Sequence, residues 1–256
     1  MNSRIRFFIS LFACAVITAC VPNQYQENIE PVSLLKQSRA HIKTASVVIG
    51  LDPNNSNNFI ATHQAAANQQ GGLIGYLVTS AIASSFNDDL QQRATLMSPI
   101  KNAAIEFNFG SQYRKKLKQG MNQVSWLDLK SITKTPNFQR YQAASLHHQY
   151  KEDAIIVSDV FYRMAEDFSK ITFTSYVTIF PNNDALKSLA RKHSPEREQP
   201  VLYQKMFSTD YRLQDTYNSP DQAAAIWANN NAAMVHKAMN KSIGRLSNLI
   251  TQDLNL

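Results

Sequence analysis

The chain predicts an α+β domain: a mostly antiparallel sheet with helices packed on one face and a long C-terminal helix. Two patterns lead there. Ala154 to Met164 (AIIVSDVFYRM) and Lys170 to Phe180 (KITFTSYVTIF) alternate apolar and polar residues on either side of Ala165-Glu166-Asp167-Phe168, the pattern of an antiparallel hairpin. From Trp227 to Leu254 the apolar residues recur at helical spacing instead. The resulting order of strand, helices, strand, hairpin, strand and helix favours helices covering one face of a sheet.

Element by element, Val21 to Pro31 is polar and reads as a tether of eleven residues, reaching at most about 35–40 Å when extended. Ala45 to Leu51 (ASVVIGL) is β-branched and predicts the first strand. Residues 52–72, with Asp52-Pro53, an Asn-rich run and Gly71-Gly72, predict a long mobile loop. Leu73 to about Met97 predicts a helix, with Ile74, Val78, Ile82, Phe86 and Leu90 on one stripe. Ser98-Pro99 starts a second helix that stops near Phe107. Asn108 is placed to cap a third, Phe109 to Gln119, closing at Gly120. Val124 to Ile132 (VSWLDLKSI) reads as a strand, and Val201 to Leu213 as another after the hairpin. Ser219-Pro220-Asp221-Gln222 has the residues of a capping box ahead of the last helix. Asn229-Asn230-Asn231 marks a break within it.

The first twenty residues carry an address. Arg4 and Arg6 form a positive segment, Phe7 to Ile17 an apolar one, and Ile17-Thr18-Ala19-Cys20 closes it with small residues before a thiol. A peptidase at the membrane needs slim side chains beside the cut, and the Cys20 thiol can become a lipid thioether. These residues resemble the lipobox of bacterial lipoproteins. The resemblance implies removal of residues 1–19 and an S-diacylglycerol, N-acylated (palmitate-bearing) Cys20. Val21, in place of a retention aspartate, implies the outer membrane; separately, the domain is expected to face the periplasm. Three alternatives compete: an uncleaved anchor over Ile5 to Val21, cleavage before Cys14, and a secreted protein cut after Ala19. The first is short for a span and broken by Thr18, and the second leaves bulky Phe12 beside the cut. Two or more acyl chains, unlike one, hold a protein stably on a bilayer.

Composition narrows the function. Beyond Cys20 the mature chain has no cysteine, which removes intramolecular disulfides, thiol catalysis and cysteine-bound metal. The chain holds 26 Lys and Arg against 19 Asp and Glu. Losing Arg4 and Arg6 leaves a mild excess that suits anionic surfaces but not nucleic acid.

Candidate sites are few. His41, His63, His147, His148, His193 and His236 are scattered without metal-ligand spacing, so neither a metal nor another cofactor is expected. No G-x-S-x-G elbow accompanies the serines. Asp88-Asp89, Glu152-Asp153 and Glu166-Asp167 sit at element ends, where carboxylates serve as caps and turns, and no catalytic residue is assigned. Gly71, Gly72 and Gly75 with Thr79 and Ala83 form a stripe of small residues suited to close helix contact. Arg114, Lys115, Lys116 and Lys118 are candidates for contact with an anionic surface, against the plainer reading of a solvated helix face. Trp126, Phe161, Tyr162, Tyr176 and Phe180 read as core.

The order of elements from residue 45 to 255 also resembles the periplasmic domain of two lipoprotein groups: curli secretion channels and activators of peptidoglycan synthases. The points of likeness are the helix leading into VSWLDL, the hairpin, and the final helix ending NLITQDL. A likeness of order implies a fold and no binding site. The function expected first is a non-enzymatic outer-membrane lipoprotein, one tethered domain (32–256) that binds or positions an envelope protein or polymer. Second comes a self-assembling subunit, a homo-oligomer, of an export or pore complex. A cell-wall or lipid hydrolase ranks third.

Overall fold

The computed structural model describes residues 31–51, 97–136, 146–165, 167–190 and 199–256. Within them run α1 (Lys36–His41), β1 (Thr44–Leu51), α2 (97–106), α3 (Phe109–Met121), β2 (Asp128–Pro136), β3 (Ala154–Met164), β4 (Lys170–Pro181), α4 (Asp184–Leu189), β5 (Tyr203–Arg212) and α5 (Pro220–Asn255). The predicted loop 52–72 and the helix Leu73 to Met97 lie outside the described residues.

The fold is α+β, with five strands in the order β2-β1-β3-β4-β5 and a long C-terminal helix. The hairpin forms in the expected register, Ala154 opposite Pro181 and Met164 opposite Ile171. β5 continues it antiparallel to β4. These antiparallel pairings are the longest, but β1 lies parallel to both β2 and β3, so the sheet is mixed. Parallel neighbours need crossovers, and the chain between β1 and β2 includes α2 and α3.

Burial follows strand position. β1, with neighbours on both sides, is buried at every residue from Ala45 to Gly50, as expected of a strand covered on both faces. β3 is buried throughout from Ala154 to Ser158 and alternates beyond it, leaving Arg163 exposed. The main core lies between the sheet and the helices. It joins Val47, Ile49, Ile156, Phe173 and Val177 to Tyr113 and Leu117 of α3 and to Met239, Ile243 and Leu246 of α5. A smaller core on the opposite face gathers Val32, Val48, Leu146, Ile155, Val157, Phe180 and Val201. The helices thus occupy one face as predicted, and irregular chain covers part of the other.

Three local expectations need correction. The strand predicted from Val124 starts at Asp128. Residues 124–127 turn instead, with the Val124 and Leu127 amides donating to the Met121 and Val124 carbonyls. Trp126 is therefore no strand residue: it is half-buried, its Nε1 donates to the Leu254 carbonyl at 2.7 Å, and Arg39 lies over its ring. Gly120 is not a terminator, since α3 continues through it to Met121. Asn108 does not cap with its side chain; it takes a left-handed conformation (φ 51°, ψ 51°) joining α2 to α3. Asparagine tolerates that region better than most residues.

The C-terminal helix follows its sequence signals closely. Ser219 Oγ accepts from the Gln222 amide at 3.3 Å, and Gln222 Oε1 accepts from the Asn218 amide at 2.7 Å. Asn229 to Ala232 leave helical geometry, dividing α5 at the asparagine run. Trp227, fully buried ahead of the kink, donates from Nε1 to the Phe168 carbonyl and ties the helix to the hairpin turn. Of the aromatic residues expected in the core, Tyr162 and Phe180 are buried, whereas Phe161 and Tyr176 pair half-exposed on the face away from the helices.

Candidate functional site

The helix layer places the predicted cationic residues. α3 and α5 run parallel and close together. Ser247 Oγ donates to the Lys116 carbonyl at 2.9 Å, Gly120 faces Ser247 and Thr251, and Asn255 Nδ2 donates to the Gln123 carbonyl. Buried Tyr113 and Leu117 turn one side of α3 to the sheet, so Arg114, Lys115, Lys116 and Lys118 are all exposed. Beside them α5 presents Lys237, Lys241 and Arg245, also exposed. Sequence reasoning missed these three. Their signal was the absence of any Asp or Glu from residue 222 to 252, a pattern visible only across 31 residues.

The charge balance shows how concentrated this face is. α3 and residues 222–252 hold seven Lys and Arg and no acid, leaving 19 cations and 19 acids for the rest of the chain. The full formal excess of +7 therefore equals the charge of α3 and residues 222–252. Elsewhere several basic side chains meet carboxylates: Lys170 and Arg212 meet Asp210, Lys187 meets Asp184, Lys205 meets Asp253 and Lys130 meets Asp128. Among the described residues no carboxylate pairs with Arg114, Lys115, Lys116, Lys118 or Lys237. Lys241 lies over the Tyr211 ring and Arg245 donates to the Asp210 carbonyl, so these two lean toward β5.

The other polar clusters hold the fold together. Tyr113 Oη, Ser158 Oγ and Ser175 Oγ form a fully buried hydroxyl triangle, with edges of 2.8, 3.2 and 2.9 Å. Burial pushes the Tyr113 phenol up to about 12, with Asp159 adding to the rise and the two serine hydroxyls opposing it. Tyr203 donates to the Asp253 carboxylate at 2.7 Å, and its ionisation is raised by burial and by that carboxylate. Asp153 accepts from the Lys43 and Thr44 amides at 3.0 and 2.9 Å, from Thr44 Oγ1 at 3.1 Å and from Asn183 Nδ2 at 3.0 Å. Burial works to raise its pKa, but these donors hold it below the usual carboxylate value. The Glu152-Asp153 pair thus joins the starts of β1, β3 and α4 through Asp153. Asp167 accepts from the Ser169 amide in the hairpin turn.

The histidines stay apart. His147 Nδ1 meets Asn182 Oδ1 at 2.8 Å, and His236 Nε2 meets the Ala103 carbonyl at 3.0 Å. Among the described residues no histidine bonds to a serine or carboxylate, and none forms a cluster able to hold a metal ion. No described helix is long and apolar enough to cross a membrane. Cys20, the stripe Gly71, Gly72, Gly75, Thr79 and Ala83, the pair Asp88-Asp89, Glu166, His63 and His193 lie outside the described residues.

No protein-family model matches the chain, and no curated protein matches it in sequence. Among solved structures it is similar to a hypothetical protein from Chlamydia trachomatis, at 10% identity and a TM-score of 0.36, over 83% of this chain and 96% of that one. It is also similar to the PelC dodecamer from Paraburkholderia phytofirmans, at 8% identity and a TM-score of 0.28, over 85% and 95% of the two chains. Likenesses this loose carry no function across.

Proposed function

We propose that this chain is a lipid-anchored outer-membrane protein, a non-enzymatic accessory that holds one α+β domain beside another envelope component. The observation that carries the reading is Arg4 to Cys20: a positive segment, an apolar segment, and small residues before a single retained cysteine. Acylated Cys20 and the tether Val21 to Pro31 confine the domain to a thin layer at the bilayer. Such confinement raises effective concentration, so a weak interface suffices.

The test is the mass of the mature N-terminal peptide, for wild type and Cys20→Ala, with membrane fractionation of both. A lipid-shifted peptide starting at Cys20 in outer membranes, lost in the variant, supports the reading. An unmodified peptide starting at Val21, or an intact Met1, overturns it. Mass in mild detergent separates a monomeric accessory from the self-assembling export or pore subunit, which would give a discrete ring.

A further inference from the structure

We infer that the outer surface of the α3–α5 layer is a docking face for anionic lipid headgroups. This sets the orientation of the domain: helices toward the bilayer, with the opposite sheet face bearing Phe161, Tyr176 and Met206 turned away from it. The inference uses the lipid-anchor reading only to bring a bilayer within reach; the face itself is read from the fold.

Charge and its arrangement carry the argument. The two helices bring seven cations to one layer, although they are far apart in the chain; the only acids on them are Asp221 and Asp253, near the two ends of α5, and Asp253 is paired with Lys205. Among the described residues five of those cations have no carboxylate partner, whereas Lys170, Lys205 and Arg212 of the sheet and Lys187 of α4 each meet one. Exposed cations repel one another, and seven in one layer destabilise the fold slightly unless an external anion meets them.

Shape and residue type favour a lipid surface over a compact ligand. Two parallel helices expose a broad, flat array, about 20 Å long on α3 alone at 1.5 Å per residue. Five of the seven cations are lysines, which act as point charges, and only Arg114 and Arg245 offer the fork that grips a single phosphate. Arg245 is already turned to Asp210. A fluid array of phosphates needs no fixed geometry, and clustered lysines beside a membrane attachment are the usual sequence form of such recognition.

The full-length lipidated chain, reconstituted in vesicles, tests this by lysine acetylation read by mass spectrometry. One set of vesicles is pure phosphatidylcholine; the other contains about a third phosphatidylglycerol. Each lysine at the surface changes anionic-lipid affinity about fivefold, so labelling of Lys115, Lys116, Lys118 and Lys237 should slow by about that factor or more on the anionic vesicles. Lys151 and Lys187, outside the layer, should label equally on both. The protection should vanish at about 0.5 M salt, where the screening length falls to about 4 Å. It should also be lost in the triple variant Lys115→Glu, Lys116→Glu, Lys118→Glu, whose exposed positions leave the core intact by circular dichroism. Equal labelling on both vesicle types overturns the inference. Protection by a soluble anionic polysaccharide on neutral vesicles, with no response to phosphatidylglycerol, overturns it in favour of a polymer. Retention on neutral vesicles reads the anchor separately, so failure of that reading is seen as loss of the protein from phosphatidylcholine.

Discussion

Two glycines in the helix layer should respond to alanine with opposite signs. Both lie in helices, where replacing glycine by alanine contributes about 1 kcal/mol through backbone entropy. At Gly244 a Cβ would meet nothing within 4 Å, so Gly244→Ala should stabilise by about 0.5–1 kcal/mol. At Gly120 an added Cβ would fall 2.9 Å from Ser247 Oγ and closer still to Thr251 Oγ1. Neither hydroxyl is free to swing away. Thr251 Oγ1 donates to the Ser247 carbonyl and Ser247 Oγ to the Lys116 carbonyl, so relief costs about 1 kcal/mol for each bond broken. Overpacking of this kind costs about 1–3 kcal/mol. Set against the propensity gain, Gly120→Ala should destabilise by up to about 2 kcal/mol, a fall of up to about 8 °C in Tm for a domain this size. Urea unfolding of both variants measures the difference. A double-mutant cycle with Thr251→Ala should show coupling of about 1 kcal/mol between positions 120 and 251. Equal stabilisation by both alanines, with no coupling, would refute the close approach of α3 to α5.

Two further outcomes follow from half-buried Asp153 and from the buried tyrosines. Asp153→Ala removes a carboxylate that accepts from four donors across β1 and α4 and should cost about 2–3 kcal/mol in urea unfolding. Because the native pKa of Asp153 is lowered, its contribution is complete above the unfolded value near 4 and should disappear as pH falls through the lower native value, a loss the alanine variant should not show. At the alkaline end, burial raises Tyr113 and Tyr162 to about 12 each, so the unfolded chain loses those protons first. Stability should hold below pH 10 and fall between about 10 and 12, with tyrosinate absorbance rising together with loss of helix signal; Tyr113→Phe should make that fall shallower.

The elements built from short-range signals were legible in the sequence. Alternation in AIIVSDVFYRM and KITFTSYVTIF specifies which side chains share a face, and the brief link between them leaves little choice but an antiparallel pair. Ser219 and Gln222 mark the start of α5, and three consecutive asparagines mark its kink, because each acts on backbone within a few residues. The same reasoning misplaced Val124 to Leu127. Apolar Val124 and Leu127 sit three apart, which a turn buries as readily as a strand, and only the neighbouring Met121 and Leu254 decide between them.

The sequence by itself determined the α+β class, the hairpin and the last helix, since each is set by the local periodicity of burial. Tertiary structure alone decided that β1 pairs in parallel with both β2 and β3, because strand order depends on how a long crossover returns and leaves no local trace. It also decided that Gly120 is a point of helix contact, and that lysines from α3 and α5 share one surface. Their charges add only because packing of the buried faces brings the exposed ones side by side.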